Sequence, residues 1–267
     1  MATNNMYLKN MPKRLKKPSL FSIIGWIIFL ALFVQGLYST NITPDRLWTG
    51  LINMMTFLAR AFPPDASRLS FITTAMFSTF QMALVGTAFG TLISLPVALL
   101  ASANTSPSPV LAGFVRSLVS VIRTIPDLIW ALIFVISVGL GPLAGILTIT
   151  VDSVGFCARF FSERIEELDA GPIQALEATG SSKVGVIIGS IIPMGFPSFV
   201  ATSLYALEKA IRSAVVLGLV GAGGIGVELS TAMTLRRFDE ALMIMILILV
   251  FVIATEKVST RIRKQVI

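Results

Sequence analysis

The sequence predicts an all-α, polytopic membrane protein with six transmembrane helices. Of its 267 residues, 55% are hydrophobic and only 13% are charged, and the mean hydropathy is +0.85, far above that of a soluble globular domain. Several apolar runs approach the roughly 20 residues that a helix needs to cross a bilayer core. No long polar stretch remains for a second domain, so we predict a basic tail at 1–18 and one transmembrane domain at 19–267.

Six apolar runs form the predicted spans. A basic segment also begins a signal peptide, but no small-residue cleavage site follows the first run, so we predict an uncleaved span. Residues 39–70 hold prolines and charges and are predicted to form an external loop, in which 48–61 is amphipathic and lies on the outer membrane surface. The predicted spans are 20–38, 71–103, 110–140, 143–161, 184–207 and 240–254.

Glycine and proline interrupt several of these runs. Pro126 should kink the third span, because proline removes a backbone hydrogen bond. Residues 208–238 have a short, glycine-rich apolar centre, which favours a re-entrant or broken segment over a full crossing.

Basic residues are concentrated at the two ends of the chain, and the segment between them has a small net negative charge. Cytoplasmic segments of membrane proteins are enriched in lysine and arginine, so we predict that both ends are cytoplasmic and prefer this to nucleic-acid binding. The terminal basic residues are Lys9, Lys13, Arg14, Lys16 and Lys17, and then Lys257, Arg261, Arg263 and Lys264.

Composition disfavours an enzyme. The chain has no histidine, the commonest general base and metal ligand, and its single cysteine, Cys157, excludes an intrachain disulfide and a thiolate zinc cluster. Carboxylate or serine catalysis stays open, but we expect no catalytic residue, no metal and no cofactor bound by this chain.

A short polar helix is predicted between the fourth and fifth spans, in the cytoplasmic loop 162–183. Pro172 suits a first helical turn, and Gly180 suits the position just after a helix end. The resulting helix, 172–179, is too short to be stable alone, so it must pack against something. It either joins two spans or docks a cytoplasmic partner.

Residues 174–193 resemble the cytoplasmic loop of bacterial ABC importer permeases, E-A-A, three residues, glycine, nine residues, then I-x-L-P. Ala175, Gly180 and Pro193 match this pattern. Gln174 replaces the acidic residue, which leaves open any ion pair made by the usual glutamate, and Leu176 and Ser190 replace an alanine and an isoleucine.

Two further stretches, "RTIPDLIWALIF" at 123–134 and "ALEKAIRSAVVLGLVGAGGIG" at 206–226, resemble permeases of phosphonate importers. Methionine-importer permeases share a "VGAGG" element. The resemblance covers about 70–258 and implies a type I ABC importer permease fold. It also implies a homodimer in the inner membrane, a solute-binding protein outside, and an ATPase inside that holds ATP and magnesium.

The resemblance implies which residues couple the permease to the ATPase and which class of substrate it moves. Those that would couple to the ATPase are Pro172, Gln174, Ala175, Leu176, Glu177, Gly180 and Pro193. The substrate would be a phosphonate, phosphite or hypophosphite. A methionine or other small-solute permease, an ion-coupled secondary transporter with a midplane site, and a membrane-embedded enzyme are the alternatives.

Charged residues within the apolar runs are candidates for the pathway, because ionisable groups in a membrane are costly. Arg123 and Asp127 either pair and brace the kink at Pro126 or line the path of an anion. Arg212 either anchors a helix at the interface or attracts the substrate. Asp152 is expected to make a buried hydrogen bond.

A glycine-rich block follows Arg212 and is interpreted as a close packing site or a bendable gate at a dimer axis. A dinucleotide fingerprint would need a βαβ unit, whereas the flanks of this block are membrane-like. A phosphate-binding loop would need a following G-K-[ST], which is not present. The block contains Gly218, Gly221, Gly223, Gly224 and Gly226.

Overall fold

The computed structural model describes residues 19–266, and the regular secondary structure in that range is entirely helical. The predicted basic tail at 1–18 lies outside the described residues. In chain order the helices are α1 (Leu20–Ser39), α2 (Pro44–Ala61), α3 (Leu69–Ala101), α4 (Pro109–Thr124), α5 (Asp127–Val138), α6 (Pro142–Glu166), α7 (Ala170–Ala178), α8 (Lys183–Gly218), α9 (Ile225–Thr234) and α10 (Phe238–Val266).

Within 19–266, five helices are long and apolar enough to cross a membrane: α1, α3, α6, α8 and α10. The helices α4 and α5 qualify only as a pair, and they meet at an angle of 87°. Counted as one broken crossing, this pair brings the candidate spans to six. The all-α membrane class is confirmed, and the kink expected at Pro126 is a break, since Ile125 and Pro126 separate the two helices.

The described residues divide into two units at Leu58. The first contains α1 and most of α2. The side chain of Ser19 caps α1 by accepting a hydrogen bond from the Ser22 amide at 3.2 Å. The amphipathic segment predicted at 48–61 is the larger part of α2, which begins earlier because Pro44 fits a first helical turn.

In the second unit, α3 and α6 pack with their backbones close together. A Cβ atom added to Gly90 would lie 2.3 Å from the Cβ of Ser153, and one added to Gly86 would lie 2.8 Å from the Cβ of Ile149. Ser94 donates a hydrogen bond to the carbonyl of Gly90 at 2.6 Å, so its hydroxyl is satisfied inside the helix pair. Small residues are what permit this approach.

Two clusters of buried apolar residues surround this helix pair. The first joins α3 and α6 to α8, α9 and α10, and the second joins the other ends of α3 and α6 to the start of α8. Larger members of the first are Ile72, Met76, Met82, Ile149, Ile211, Leu217, Ile225 and Ile244, and of the second Phe161, Ile165, Val186, Ile191 and Phe199.

The prediction for the fifth span and for residues 208–238 was wrong in its boundaries. The helix α8 continues from Lys183 to Gly218, past the predicted end at residue 207, because the charged side chains beyond that point have partners. Only residues 225–234 form a short separate helix, α9. The segment is therefore the end of one span, a glycine turn and a short helix.

Gly90→Ala is expected to destabilise the protein by about 1–3 kcal/mol, because the new methyl group would overlap Ser153. The matched control is Gly113→Ala on α4, where no atom lies within 4 Å of the new Cβ. Thermal unfolding in detergent should show a lower midpoint for the first variant only. Equal midpoints would contradict the close contact between α3 and α6.

Candidate functional site

The helix α7 has the local signals that the sequence predicted, with a shifted start. Asp169 caps it by accepting a hydrogen bond from the amide of Gly171 at 3.0 Å, so the helix begins at Ala170 and Pro172 lies in its first turn. It ends at Ala178, and Gly180 follows with a φ of +81°, a conformation that favours glycine.

One side of α7 packs against the second apolar cluster. Ile173 and Leu176 are half-buried there. The Cδ2 atom of Leu176 lies only 3.1 Å from the position that a Cβ of Gly189 would take, so Leu176 packs directly on the backbone of α8. Tertiary packing thus stabilises a helix of nine residues.

The rest of α7 is open to solvent. Gln174, Ala175 and Glu177 are all exposed. A short helix with one docked face and one open face can transmit a push to the helix on which it rests, here α8.

A π-helical turn, Ile187–Ile191, lies where α7 packs on α8. The amide of Ile192 bonds to the carbonyl of Ile187, five residues back. Pro193 follows and has no amide hydrogen to donate, and the wider turn adapts the helix to this missing bond. Pro193 therefore belongs structurally to the helix that receives α7.

The pairing of Arg123 with Asp127, one of the two interpretations of these residues, is not found among residues 19–266. The 87° break separates the two residues onto α4 and α5, and Asp127 instead accepts a hydrogen bond from the hydroxyl of Ser213 on α8 at 2.9 Å. Arg123 is exposed and packs its Cγ atom over Gly155 of α6. Among the ion pairs of residues 19–266, none involves Arg123.

Arg212 has a charge partner on its own helix. Its guanidinium bonds to Glu208 at 2.8 Å, and the same carboxylate lies 3.4 Å from Arg263 of α10. Glu208 is almost fully buried, so two arginines compensate one carboxylate. This arrangement favours the structural interpretation of Arg212 over that of a free cation for substrate.

Sequence reasoning missed an ion pair between α6 and α8. The ammonium of Lys209 bonds to both carboxylate oxygens of Asp152, at 2.8 and 2.9 Å. Asp152 was expected to make a hydrogen bond, but its partner was not identified. The available signal was a lysine just past the fifth apolar run and followed by further apolar residues, since such a lysine commonly pairs with a carboxylate on a neighbouring helix.

The glycine-rich block is a packed turn. Gly221, Gly223 and Gly224 have φ values of +92°, +86° and +75°. At Gly226 a Cβ atom would lie 2.0 Å from the carbonyl oxygen of Val215, and at Gly218 it would lie 2.6 Å from the Cα of Gly226. The end of α8 and the start of α9 therefore touch through glycines.

The same turn is bonded to two other parts of the bundle. The hydroxyl of Thr79 on α3 accepts a hydrogen bond from the amide of Ile225 at 2.7 Å, and the amide of Gly141 donates to the carbonyl of Gly221 at 3.0 Å. The close-packing interpretation of the block agrees with these contacts. A gating role stays a prediction.

The described residues contain no group of three or more potential metal-ligating side chains. Cys157 is buried in the second apolar cluster.

Comparison with known proteins places this architecture among transport proteins. Residues 90–264 match the family model described as binding-protein-dependent transport system inner membrane component. The phosphite transport system permease protein PtxC of Stutzerimonas stutzeri is 34% identical over 243 residues, covering 91% of this chain and 87% of the relative. The phosphate-import permease protein PhnE of Mycolicibacterium smegmatis is 35% identical, covering 85% and 43%.

A solved structure of the MetNI methionine ABC transporter in an inward-facing conformation has the same fold. Its TM-score is 0.68 at 23% identity, covering 76% of this chain and 99% of that one.

Thr79→Val is expected to cost about 1–3 kcal/mol, because it leaves the buried amide of Ile225 without an acceptor at nearly unchanged volume. The control is Thr73→Val on the same helix, because the exposed hydroxyl of Thr73 bonds, within the described part of the chain, to the carbonyl of Ser70 on its own helix. Thermal unfolding of both variants in detergent tests this. Similar midpoints for the two would mean that Thr79 does not hold the glycine turn.

Proposed function

The chain belongs to the family of binding-protein-dependent transport system inner membrane components, and on that premise we propose that it imports a phosphorus oxyanion as the permease subunit of an ATP-driven ABC importer. The substrate is a phosphonate or a close relative, phosphite or hypophosphite. Relatives named for phosphite and phosphate transport, at 34% and 35% identity, support this substrate class.

The observation that carries the proposal is the geometry of α7. Its apolar side packs on α8 through Leu176 and Gly189, and its outer side is exposed. An ATPase subunit binds that outer side, and its motion is transmitted through α8 to the membrane-spanning helices. ATP and magnesium are held by that subunit, and the permease itself binds no cofactor and hydrolyses nothing.

The complete importer contains two copies of this chain, two ATPase subunits and a solute-binding protein. Both ends of the chain and α7 face the cytoplasm, in accord with six crossings and with the basic residues near each terminus. The solute-binding protein delivers the oxyanion to the opposite side of the inner membrane. Nucleic acid has no part in this function.

A methionine permease is the second candidate, because the fold resembles that of the MetNI transporter. Fold likeness at 23% identity carries no substrate information, so the phosphorus oxyanion is preferred.

Uptake into proteoliposomes tests the substrate. The importer, reconstituted with its ATPase and binding protein, is expected to accumulate phosphite and methylphosphonate with ATP inside and not without it. Methionine uptake measured in parallel is the control. Accumulation of methionine and exclusion of both phosphorus oxyanions would replace the first candidate with the second.

Ala175→Arg is expected to abolish ATPase binding and ATP-driven uptake without unfolding the permease, because Ala175 is exposed on the outer side of α7. The matched control is Ala66→Arg, the same change at an exposed position before α3. Co-purification of the ATPase with each variant measures the effect. Retention of the ATPase by Ala175→Arg would show that α7 is only a connecting helix.

A further inference from the structure

Four charged side chains surround the break between α4 and α5. Lys209 bonds to Asp152 with two short contacts, and its ammonium lies 5.6 Å from the centre of the Phe156 ring. Arg123 packs over Gly155, three residues along α6 from Asp152, and Asp127 bonds to Ser213, four residues along α8 from Lys209. The cluster is built from three separate parts of the bundle, so its arrangement depends on the tertiary fold.

The ion pair at the centre of this cluster is accessible. The side chain of Lys209 is 34% exposed and that of Asp152 is 22% exposed. Charged groups on membrane-spanning helices normally face the bundle interior or a water-filled cavity, because lipid cannot solvate them. A paired charge is also weak evidence for stability, since neutral replacements of both partners are often tolerated.

Lys209 has unused capacity to bind an anion. An ammonium has three N–H donors, and in the described part of the chain the hydrogen bonds of Lys209 are the two to Asp152. The exposed guanidinium of Arg123 supplies further donors, and such charged donors form strong bonds to phosphorus oxyanions.

We propose that Lys209 contacts the oxyanion during its passage and that Asp152 is the exchangeable counter-ion of Lys209. This inference rests on the proposed function and adds the residue that binds the negative charge of the substrate. The oxyanion takes the place of the Asp152 carboxylate on the ammonium, and the carboxylate returns when the oxyanion leaves.

Because Asp152 competes for the ammonium, the affinity of Lys209 for the oxyanion stays low. Passage through a membrane requires binding that is strong enough for entry and weak enough for release. A lysine without this counter-ion would hold an oxyanion more tightly and release it more slowly. The ion pair therefore serves turnover as well as structure.

The alternative role is a structural brace between α6 and α8, and neutralising both partners separates the two roles. Lys209→Met alone leaves an unpaired carboxylate, whereas Lys209→Met with Asp152→Asn removes both charges. If Lys209 contacts the oxyanion, the double variant regains the thermal stability of the unaltered permease but stays at least about tenfold lower in ATP-driven phosphite uptake. If the pair is only a brace, the double variant regains uptake as well, and the proposal is overturned.

The control pair is Arg159 and Glu163, which is also on α6, at 2.6 Å with both side chains 41% exposed. Arg159→Met with Glu163→Gln is expected to change uptake by no more than about twofold, as for an exposed ion pair. A tenfold loss here would mean that any charge removal on α6 impairs transport, which would contradict a specific role for Lys209.

Chemical protection supplies a second readout that a brace would not affect. In the unaltered importer, the amine of Lys209 is labelled with a small, water-soluble amine reagent and quantified by mass spectrometry, with the exposed Lys183 as the control. An excess of phosphite is expected to slow the labelling of Lys209 and to leave that of Lys183 unchanged. Unchanged labelling of Lys209 would overturn the proposal, and so would a failure of the neutral Met–Asn pair to assemble, because the ion pair would then be a folding element.

The unaltered importer is measured in the same series. If it takes up no phosphorus oxyanion, the proposed function fails. If it takes up phosphite normally and the Met–Asn double variant does so too, only the role of Lys209 fails.

Discussion

The close approach of α3 and α6 is the constraint on which the rest of the structure depends. Gly86 and Gly90 allow α6 to lie against the backbone of α3. With α6 fixed in this way, Asp152 faces Lys209 of α8, and the Cγ atom of Arg123 packs over Gly155. Further along α6, Phe161 belongs to the apolar cluster on which α7 packs. Without a hydrophobic driving force between helices in lipid, such backbone contacts and polar bonds must hold the bundle together.

The charged residues of the spans divide into two kinds. Glu208 is nearly buried between Arg212 and Arg263, and this group joins α8 to the end of α10. The pair of Lys209 and Asp152, only one residue further along α8, is accessible and has no third charge bonded to it among residues 19–266. These neighbouring charges thus have different environments, and of the two groups only the pair of Lys209 and Asp152 is open to a transported anion.

Local signals in the sequence predicted the fold class, the apolar runs and the short helix between Pro172 and Gly180. These features depend on composition and on residues a few positions apart, such as a proline in a first turn and a glycine after a helix end. The pairing of Lys209 with Asp152, the bond between Ser213 and Asp127 and the full length of α8 depend on contacts between distant residues. A single sequence contains no measure of which of several charges will meet. The pairing of Arg123 with Asp127, one of the two interpretations that their spacing left open, does not occur among the described residues.

The π-helical turn at Ile187–Ile191 affects how changes in chain length propagate. A turn of this kind contains one residue more than the α-helical turn it replaces. Loss of a single residue within it would bring the turn to α-helical length and keep both flanking segments near their present orientation, at the cost of the wider turn that accommodates Pro193. The same loss between the turn and Lys209 would rotate the remainder of α8 by about 100° and direct the ammonium away from α6. The helix can therefore accommodate a deletion beside α7 and keep its charged residues aligned with α6. A deletion between that turn and Lys209 would misalign them.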